Sequence, residues 1–284
     1  MSKITNILPY FTVNCKGKLI DFSTPKVMGI VNVTPDSFFK GSRSVEKADI
    51  LQKVEKMLSE GATFIDVGGH STRPHAQAVP EGEEFDRVIP AIETIIKEFP
   101  SCLISIDTFR STIAKASVEA GAVMINDVSG GLMDSKMYQT VVDLGVPYVL
   151  MHMRGTVDTM TQYADYQNIT LEVLDEIEKK VGLLRSLGQK DIIIDLGFGF
   201  SKTADQNYEL LNKLELFKML ECPILVGISR KSMIWKKLNI SAENALNGTT
   251  ALNAVALMKG ANLLRVHDVK EAIEAIKLLE LLGS

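Results

Sequence analysis

The 284-residue sequence has few cysteines and no long apolar run. Cys15, Cys102 and Cys222 are scattered and form no C-x-x-C pair, so neither a disulfide framework nor a zinc site is predicted. No stretch approaches the roughly 20 consecutive apolar residues that span a bilayer. The first residues, MSKITNILPYF, lack the apolar region and small-residue cleavage site of a signal peptide. We therefore expect a soluble protein of the reducing cytoplasm.

The sequence also lacks an excess of positive charge. Lys and Arg number 31 and Asp and Glu number 35, which gives a formal net charge of -4. No cluster of Lys and Arg stands out, and this argues against nucleic acid or an anionic membrane as the main partner. Hydrophobic residues make up 46% of the chain, enough for a large core, and charged residues 23%, as in ordinary soluble proteins.

Short apolar runs alternate with helical patterns along the chain. The runs are typical of buried parallel strands, because they are continuous rather than alternating and are bounded by turn residues. They are VMGIV, TFIDV, CLISI, AVMIN, PYVLM, DIIID, PILVG and LLRV. Between them, apolar residues recur at helical spacing. The clearest stripes are Leu51, Val54 and Leu58; Ile92, Ile95, Ile96 and Phe99; Leu171, Leu174, Ile177 and Val181; and the final segment VKEAIEAIKLLELL.

The eightfold alternation predicts an α/β protein, a closed (β/α)8 TIM barrel that forms a single domain over residues 1–284. A short β-hairpin that turns at Lys16 and Gly17 is predicted before the barrel. Gly61, Gly121, Gly145, Gly188 and Gly260 stand where helices are expected to end in left-handed caps. The alternative is a doubly wound open sheet. Its usual G-x-G-x-x-G signature is missing after the first strand, where the sequence reads GIVNVTPDS.

Polar residues follow the predicted strands at their carboxyl ends, where the active site of such a barrel lies. Singly, each has a structural explanation: Asp107 or Asp127 could cap a helix, and His152 or His267 could be a hydrogen-bonded structural histidine. Because eight strands each bring polar groups to the same predicted rim, we interpret the set as a functional site. The set is Asn32, Asp66, Asp107, Asn126, Asp127, His152, Arg154, Asp195, Ser229, Arg230, Lys231, Ser232, Arg265 and His267.

The charges in this set are divided between the two halves of the rim. Asp107, Asn126 and Asp195 suit a flat heterocycle with adjacent N–H donors, through paired charge-assisted hydrogen bonds. The cations gather on the seventh and eighth strands, the end of a barrel that commonly holds phosphate, with Arg73 available from the second loop. Asn32 offers a neutral oxygen of the kind that Mg2+ uses when it keeps water and substrate phosphates. The predicted substrate is a planar ring joined to a phosphate or diphosphate.

Eight motifs in order resemble the dihydropteroate synthases, the folate-pathway enzymes that sulfonamides inhibit. They are GIVNVTPDSF, DVGGHSTRP, SIDT, INDVSGG, MHMRGT, DLGFGFSK, GISRKS and RVHDV, and the likeness runs from about Lys26 to the C-terminus. The resemblance implies that (7,8-dihydropterin-6-yl)methyl diphosphate and 4-aminobenzoate are joined with release of diphosphate. It also implies a homodimer paired through the later helices. Neither a Ser-His-Asp nor a Cys-His arrangement is evident, and the arylamine of the second substrate would be the nucleophile.

The resemblance also implies roles for individual residues. The pterin ring would be held by Asp107, Asn126, Asp195 and Lys231. Thr72, Arg265 and His267 would lie near the methylene diphosphate, and Asn32 would bind a catalytic Mg2+. The pocket for 4-aminobenzoate would be formed by Thr72, Arg73, Pro74, Phe200, Lys231 and Ser232, with Asp36 and Phe38 on the covering loops. Lys231 is expected to reach toward both substrates, and Arg230 toward the anionic end or a neighbouring carboxylate.

Three positions depart from the family pattern, and two other functions remain open. Leu196 stands where Pro is usual, Lys40 where an acidic residue is usual and His75 where Gly is usual. A methyltetrahydrofolate:corrinoid methyltransferase would share the ring-holding groups but would not need the cations of SRKS and RVH. A non-catalytic pterin-binding paralogue would bind the pterin without turnover, and the departures at Leu196 and Lys40 would be compatible with it.

Overall fold

Eight parallel strands close into a barrel within the residues that the computed structural model describes, which are 11–33, 43–70, 79–156 and 159–283. Each strand coincides with one of the predicted runs, and β10 pairs with both β9 and β3. The closed barrel is therefore confirmed, and the open sheet is excluded. The strands are β3 (Lys26–Asn32), β4 (Phe64–Gly68), β5 (Leu103–Asp107), β6 (Met124–Asp127), β7 (Tyr148–Met151), β8 (Ile192–Asp195), β9 (Ile224–Val226) and β10 (Leu263–Val266).

Helices cover the outside of the barrel, and the described chain places at least one between each pair of consecutive strands. They are α1 (Arg43–Ser59), α2 (Glu81–Glu98), α3 (Ser111–Glu119), α4 (Met137–Leu144), α5 (Ile169–Leu187), α6 (Ala204–Asn212), α7 (Ser232–Leu238), α8 (Leu246–Met258) and α9 (Val269–Gly283). Short 3-10 helices span Met160–Tyr163 and Leu214–Leu220. The five predicted cap glycines all have positive φ, from 60° at Gly145 to 122° at Gly121. Those predictions are confirmed.

One predicted helical stripe has the wrong rotation. Leu171 is 58% exposed, whereas the buried side of α5 runs through Ile169, Val173, Ile177 and Val181. These four residues are spaced by four, so they lie on one face of the helix, and Leu171 lies about 200° from Ile169 around the axis. The predicted stripe is therefore correct at Ile177 and Val181, whereas Leu171 lies on the solvent face of α5.

The inside of the barrel is apolar at the amino-terminal end of the strands. Met28, Phe64, Leu103 and Met124 form this floor together with the equivalent residues of the other strands. The next residue along each strand faces outward, as Ile65 does, and packs into the core between the barrel and the helices. This alternation means that the residue after that, two positions beyond the floor, faces the interior again.

A hairpin closes the apolar end of the barrel. Strands β1 (Thr12–Cys15) and β2 (Lys18–Asp21) are antiparallel and are joined at Lys16 and Gly17, both of which have positive φ. Positive φ at both central residues is typical of the tight turns that match the twist of a hairpin. The hairpin packs Val13 against the barrel floor. The predicted hairpin is confirmed, and the carboxyl ends of the strands provide the mouth.

The three cysteines are free and buried. Burial raises the pKa of each thiol, to about 11 for Cys222 and about 12 for Cys15 and Cys102. These groups are therefore neutral thiols at physiological pH. Among the described helices, none is long and apolar enough to cross a membrane.

Candidate active site

The upper half of the barrel interior is polar. Asp66 on β4, Asp107 on β5, Asn126 on β6 and Asp195 on β8 are all buried there, and β10 adds Arg265. Asp107 and Asn126 are direct neighbours in the register of the sheet. Each lies an even number of residues beyond the apolar floor of its own strand, which is why it faces the interior. Three of the residues predicted to hold a ring therefore share one interior layer.

Arg265 links two carboxylates across this layer. Its Nε donates to Asp66 Oδ2 at 2.6 Å, and its Nη2 donates to Asp107 Oδ2 at 2.7 Å. Asn126 Nδ2 also donates to Asp66 Oδ2, at 3.0 Å. Burial alone would lower the pKa of Arg265, but Asp66 and Asp107 outweigh it and raise the pKa. The guanidinium is therefore charged and held in a single orientation.

Two carboxylate oxygens in the layer keep free acceptor capacity. Asp66 Oδ1 and Asp107 Oδ1 are buried and have no hydrogen-bond partner in the described chain. A buried acceptor without a partner costs about 1–3 kcal/mol, so such atoms are candidates for contact with a ligand. Burial raises the pKa of Asp107 to about 6, although Arg265 opposes the rise. Asp107 therefore offers an acceptor that is ionised above about pH 6.

Lys231 enters the same mouth from the end of β9. Its Nζ donates to the carbonyl oxygen of Phe198 at 2.5 Å and lies 4.7 Å from the centre of the Phe200 ring. Burial lowers the pKa of Lys231 to about 8, while Asp195 and Asp107 favour the charged form. Asp195 also accepts a hydrogen bond from the Gly197 amide at 2.8 Å. The structure thus brings Lys231 into electrostatic contact with the acidic residues of the interior layer.

Arg230, the neighbour of Lys231, points the other way. Its Nε and Nη2 donate to Asp268 Oδ2 and Oδ1, each at 2.8 Å, and its Nη1 donates to the carbonyl oxygen of Glu243 at 2.6 Å. Arg230 has a φ of 55°, in the left-handed region, and this reverses the chain between the two cations. Of the two predicted contacts for Arg230, the neighbouring carboxylate is the one observed.

The remaining described site residues stand around the mouth. His267 Nδ1 and Ser229 Oγ are 3.0 Å apart, so β10 and the end of β9 are joined there. Ser232 is exposed at the first position of α7, directly after Lys231. Asn32 is exposed at the end of β3, paired in register with Gly68 of β4. A Cβ at Gly68 would lie 3.7 Å from Asn32 Oδ1 and 3.4 Å from Asp107 Cβ, so these two residues are close neighbours.

Besides Arg230, three more residues of the sequence set lie outside the mouth. His152 Nε2 is 3.0 Å from Glu176 Oε2, and Arg154 Nε donates to Glu176 Oε1 at 2.9 Å, so both turn toward α5. Asp127 accepts from Tyr148 Oη at 2.7 Å and from loop amides. The idea that all polar groups face one rim is therefore wrong for these residues. The physical reason is the two-residue alternation, which sends every second side chain to the helix layer.

The structure also bears on the N-cap interpretations and on Leu196. Asp107 is not a helix cap, because α3 begins at Ser111 and Arg110 is its N-cap residue. Leu196 is buried in the core between the barrel and the helices, so this departure from the family pattern does not face the mouth. The other predicted loop residues lie outside the described residues. They are Asp36, Phe38, Lys40, Thr72, Arg73, Pro74 and His75.

Sequence reasoning gave no role to Asp66 and missed an apolar wall. Asp66 anchors Arg265, and its signal was its position inside the second predicted strand, where a buried charge requires a partner. The wall joins Met151, Met153 and Phe200 with Val128 in a small cluster separate from the main core. Its residues come from three different loops or strand ends, so no local pattern in the sequence could have grouped them.

The mouth of this parallel barrel combines buried carboxylates, a fixed guanidinium, a lysine and an apolar wall. These features define the class of protein as a (β/α)8 enzyme that binds a polar ring together with an anionic group. In the described chain, no cluster of three or more His, Cys, Asp or Glu side chains could hold a metal ion by itself.

Comparison with known proteins narrows this class. The family described as "Pterin binding enzyme" matches residues 28–267. Dihydropteroate synthase of Escherichia coli K12 is 40% identical over 267 residues, which cover 93% of this chain and 94% of the relative. The Xanthomonas albilineans dihydropteroate synthase with 4-aminobenzoic acid superposes with a TM-score of 0.88 at 36% identity, covering 96% of this chain and 98% of the other.

A Yersinia pestis dihydropteroate synthase solved as a sulfonamide drug complex gives a TM-score of 0.89 at 37% identity, with 96% of this chain and 99% of the other covered. The chain belongs to the dihydropteroate synthases, a branch of the pterin-binding enzymes. Its activity is accordingly that of a transferase in folate synthesis.

Proposed function

We propose that this site joins (7,8-dihydropterin-6-yl)methyl diphosphate to 4-aminobenzoate and forms 7,8-dihydropteroate and diphosphate. The observation that carries the proposal is the single mouth in which Asp107, Asp195, Lys231 and Arg265 meet. The acidic residues match the N–H donors of the pterin ring, and the cations match the diphosphate. Related structures support both halves of the product, since one dihydropteroate synthase contains 4-aminobenzoic acid and another contains 7,8-dihydropteroate.

The pterin ring is assigned to Asp107, Asn126, Asp195 and Lys231. The free Oδ1 of Asp107 is a buried acceptor for a ring N–H donor. Asn126 is fixed by its bond to Asp66, so its remaining amide and carbonyl groups have a defined direction. Ring binding thus satisfies buried polar atoms that the protein leaves unpaired, and this contributes both affinity and selectivity.

The chemical step breaks the bond between the methylene carbon and the diphosphate oxygen, and the diphosphate takes the electron pair. Arg265 and His267, with Thr72 from the second loop, are assigned to the diphosphate. Asp107 and Asp195 stabilise positive charge that develops on the ring and its methylene group. These are preorganised electrostatic effects, because Arg265 is held by two carboxylates before the substrate arrives.

Mg2+ is assigned to Asn32. Asn32 Oδ1 is a neutral oxygen at the exposed rim beside Asp107, and the described chain offers no competing cluster of acidic ligands. This fits an ion that takes few protein ligands and keeps water and phosphate oxygens. When bound, it would neutralise charge on the departing diphosphate.

The second substrate is assigned to Phe200, Lys231 and Ser232, together with Thr72, Arg73 and Pro74 of the second loop. Phe200 belongs to the apolar wall, and Lys231 Nζ lies above its ring, so an aromatic carboxylate would find both an apolar surface and a cation. The neutral arylamine nitrogen attacks the methylene carbon and then loses a proton. Sulfonamides are proposed to occupy the same pocket and to compete with 4-aminobenzoate.

Two further properties belong to the proposal. We propose a homodimer paired through α8 and α9, because Met258, Leu278 and Leu282 are 73%, 66% and 79% exposed on these adjoining helices. Exposed apolar groups of this size on neighbouring helices are typical of a protein interface.

A location in the reducing cytoplasm is proposed because the three cysteines are free thiols.

The decisive experiment mixes the purified protein with the dihydropterin diphosphate, 4-aminobenzoate and Mg2+. We expect 7,8-dihydropteroate and diphosphate in equal amounts, with no product when Mg2+ is chelated. A corrinoid methyltransferase would release no diphosphate, and a non-catalytic paralogue would bind the pterin without turnover. Absence of product from folded protein with both substrates bound would refute the proposed function.

A further inference from the structure

Lys202 stands behind the site, at the end of the loop that follows β8. Its ammonium group has four acceptors within reach: His152 Nδ1 at 3.0 Å, the carbonyl oxygen of Gly197 at 3.1 Å, that of Phe200 at 3.0 Å and, at a longer distance of 3.4 Å, that of His152. A lysine ammonium has three N–H donors, and each has a partner here. Lys202 is therefore fully satisfied in one position without any carboxylate among these partners.

His152 is neutral in this arrangement and has a defined tautomer. Its Nε2 faces Glu176 Oε2 at 3.0 Å and must donate to that carboxylate, which leaves a lone pair on Nδ1 to accept from Lys202. Burial, with the nearby Lys202 charge, lowers the pKa of His152 to about 3, in agreement with a neutral ring. The imidazole thus connects Lys202 to α5.

Glu176, which accepts the hydrogen bond of His152, is itself held in place by further contacts. Glu176 accepts from His152 and from Arg154, whose Nη2 also donates to Glu172 Oε2 at 2.9 Å. Both glutamates lie on α5, a helix of 19 residues whose inner face is buried in the main core. Lys202 is therefore held by a rigid part of the fold rather than by another loop.

The near side of the connection is the loop of residues 196–201, which forms one wall of the site. Lys202 binds the carbonyl oxygens of Gly197 and Phe200. Between them, the Phe198 carbonyl oxygen accepts from Lys231 Nζ, and the Phe200 ring lies beneath the same ammonium. Lys202 thus holds the loop at Gly197 and Phe200, and the Phe198 carbonyl oxygen between them binds Lys231.

The backbone of this loop requires such support. Gly197, Gly199 and Ser201 have φ values of 67°, 81° and 45°, all in the left-handed region. A Cβ at Gly197 would lie 1.9 Å from the His152 carbonyl oxygen, so the loop passes directly against the end of β7. Left-handed backbone at a non-glycine residue such as Ser201 persists only where the surroundings fix it.

We propose that Lys202 is a positioning residue for the second substrate: it fixes the loop of residues 196–201 so that Lys231 and Phe200 are correctly placed for 4-aminobenzoate. The inference rests on the proposed function of the site. We expect pterin binding to depend on it less, because Asp107 and Asn126 belong to strands that Lys202 does not touch. Of the four residues assigned to the pterin, Asp195 and Lys231 contact this loop.

The first test replaces Lys202 by Met, which keeps an unbranched side chain that is one atom shorter and removes its donors. We expect the KM for 4-aminobenzoate to rise at least about tenfold, because small displacements of positioning groups have large kinetic effects. The Kd for the dihydropterin diphosphate, measured by calorimetry, should stay within about threefold of the wild-type value. Lys179→Met is the matched control, since Lys179 is exposed and pairs only with Asp175 on α5.

Two substitutions of His152 test the same connection separately. His152→Asn keeps an acceptor near the Nδ1 position, whereas His152→Gln keeps a donor near the Nε2 position. We expect the Gln variant to raise the KM for 4-aminobenzoate more than the Asn variant, because only Asn keeps a side-chain acceptor that links Lys202 to this position. A purely structural role would give equal kinetic effects in proportion to the loss of Tm. If Lys202→Met does not fold, this pair decides the question.

The outcomes distinguish the inference from the proposed function. If wild-type protein forms no dihydropteroate, the proposed function fails. If the wild type is active and folded Lys202→Met retains an unchanged KM for 4-aminobenzoate, the positioning role is wrong. An equal loss of pterin and 4-aminobenzoate binding would also overturn it, because that result indicates general disruption of the site.

Discussion

The hydrogen bond from Arg265 to Asp107 joins β10 to β5 across the inside of the barrel, between residues 158 positions apart in the sequence. Asp66 supports it, since Arg265 Nε donates to Asp66 Oδ2 at 2.6 Å. A cation assigned to the diphosphate and a carboxylate assigned to the ring are therefore fixed relative to each other before any substrate binds. This preorganisation suits a reaction in which charge separates between ring and leaving group.

The anchoring role of Asp66 leads to the first prediction. Asp66→Asn removes one of the two charges that orient Arg265, and we expect kcat/KM for the dihydropterin diphosphate to fall by about 10- to 100-fold. Steady-state kinetics with circular dichroism as a folding check measures this. Asp49→Asn on α1 is a control, because Asp49 is exposed. A loss confined to 4-aminobenzoate KM would contradict the assignment of Arg265 to the diphosphate.

The residues that would hold the pterin lead to the second prediction. Lys231→Ala removes the cation at Phe200, and Asp195→Asn weakens the stabilisation of charge on the ring. Each should lower turnover by about 100-fold while the fold survives, since one lost electrostatic contact in a preorganised site costs on the order of 3 kcal/mol. Near-normal turnover in either folded variant would show that its assigned role is wrong.

The pH dependence of kcat/KM follows from two shifted groups. Asp107 must be ionised to accept ring donors, and burial raises its pKa to about 6, so activity should rise as the pH passes that value. Lys231 must be charged, and burial lowers its pKa to about 8, so activity should fall above it. A bell-shaped profile is expected. Its absence between pH 5 and about 9 would contradict these two assignments.

Lys202 faces the same loop and would contribute to the basic side of the profile, because burial lowers its pKa to about 7. The variants separate the two lysines. Lys202→Met should retain the fall near pH 8, whereas Lys231→Ala should lose it. If Lys202→Met loses the fall near pH 8 and Lys231→Ala retains it, the basic limb belongs to Lys202 instead.

Acid stability provides the fourth prediction. Burial alone would raise the pKa of Glu176, but the bonds from His152 and Arg154 prevail and lower it from 4.5 to about 2. A depressed carboxylate pKa stabilises the fold above the unfolded value and loses that contribution as the pH falls from about 4.5 toward about 2. Glu176→Gln should therefore show a smaller decrease in free energy of unfolding over this range. Glu178→Gln on the same helix is the exposed control.

The proposed dimer gives the fifth prediction. Met258→Glu combined with Leu278→Glu should shift the protein from dimer to monomer in light scattering, because charge is unfavourable in an apolar interface. Leu171→Glu is the matched control, since Leu171 is also an exposed leucine but lies on α5. A monomeric wild type, or a double variant that remains dimeric, would refute the assignment of α8 and α9 as the interface.

Most of the fold was accessible from sequence because its signals are local. The eight apolar runs became the eight strands, and Lys16 and Gly17 became the hairpin turn, since both depend on residues adjacent in the chain. The rotation of α5 was less accessible. Leu171 is close to the buried positions in sequence, and only packing against the barrel shows which face is covered.

The candidate site was accessible only in part. The sequence placed Asp107, Asn126, Asp195 and Lys231 at strand ends, and the family motifs suggested their roles. It left open whether Arg230 contacts the anionic end of the substrate or a neighbouring carboxylate. The structure shows the carboxylate of Asp268, with left-handed backbone at Arg230 between the two cations. The sequence also could not reveal the contacts of Lys202, which are His152, directly after β7, and the loop after β8, and which reach α5 through His152.

By itself, the sequence determined the alternation of strands and helices, and hence a parallel barrel with its polar residues at the carboxyl ends. These features follow from periodicity and from the short range of turn and capping interactions. Tertiary structure alone decided which polar side chains face the interior and which face the helices. That choice depends on the closure of β10 onto β3, which sets residues far apart in the chain within hydrogen-bonding distance.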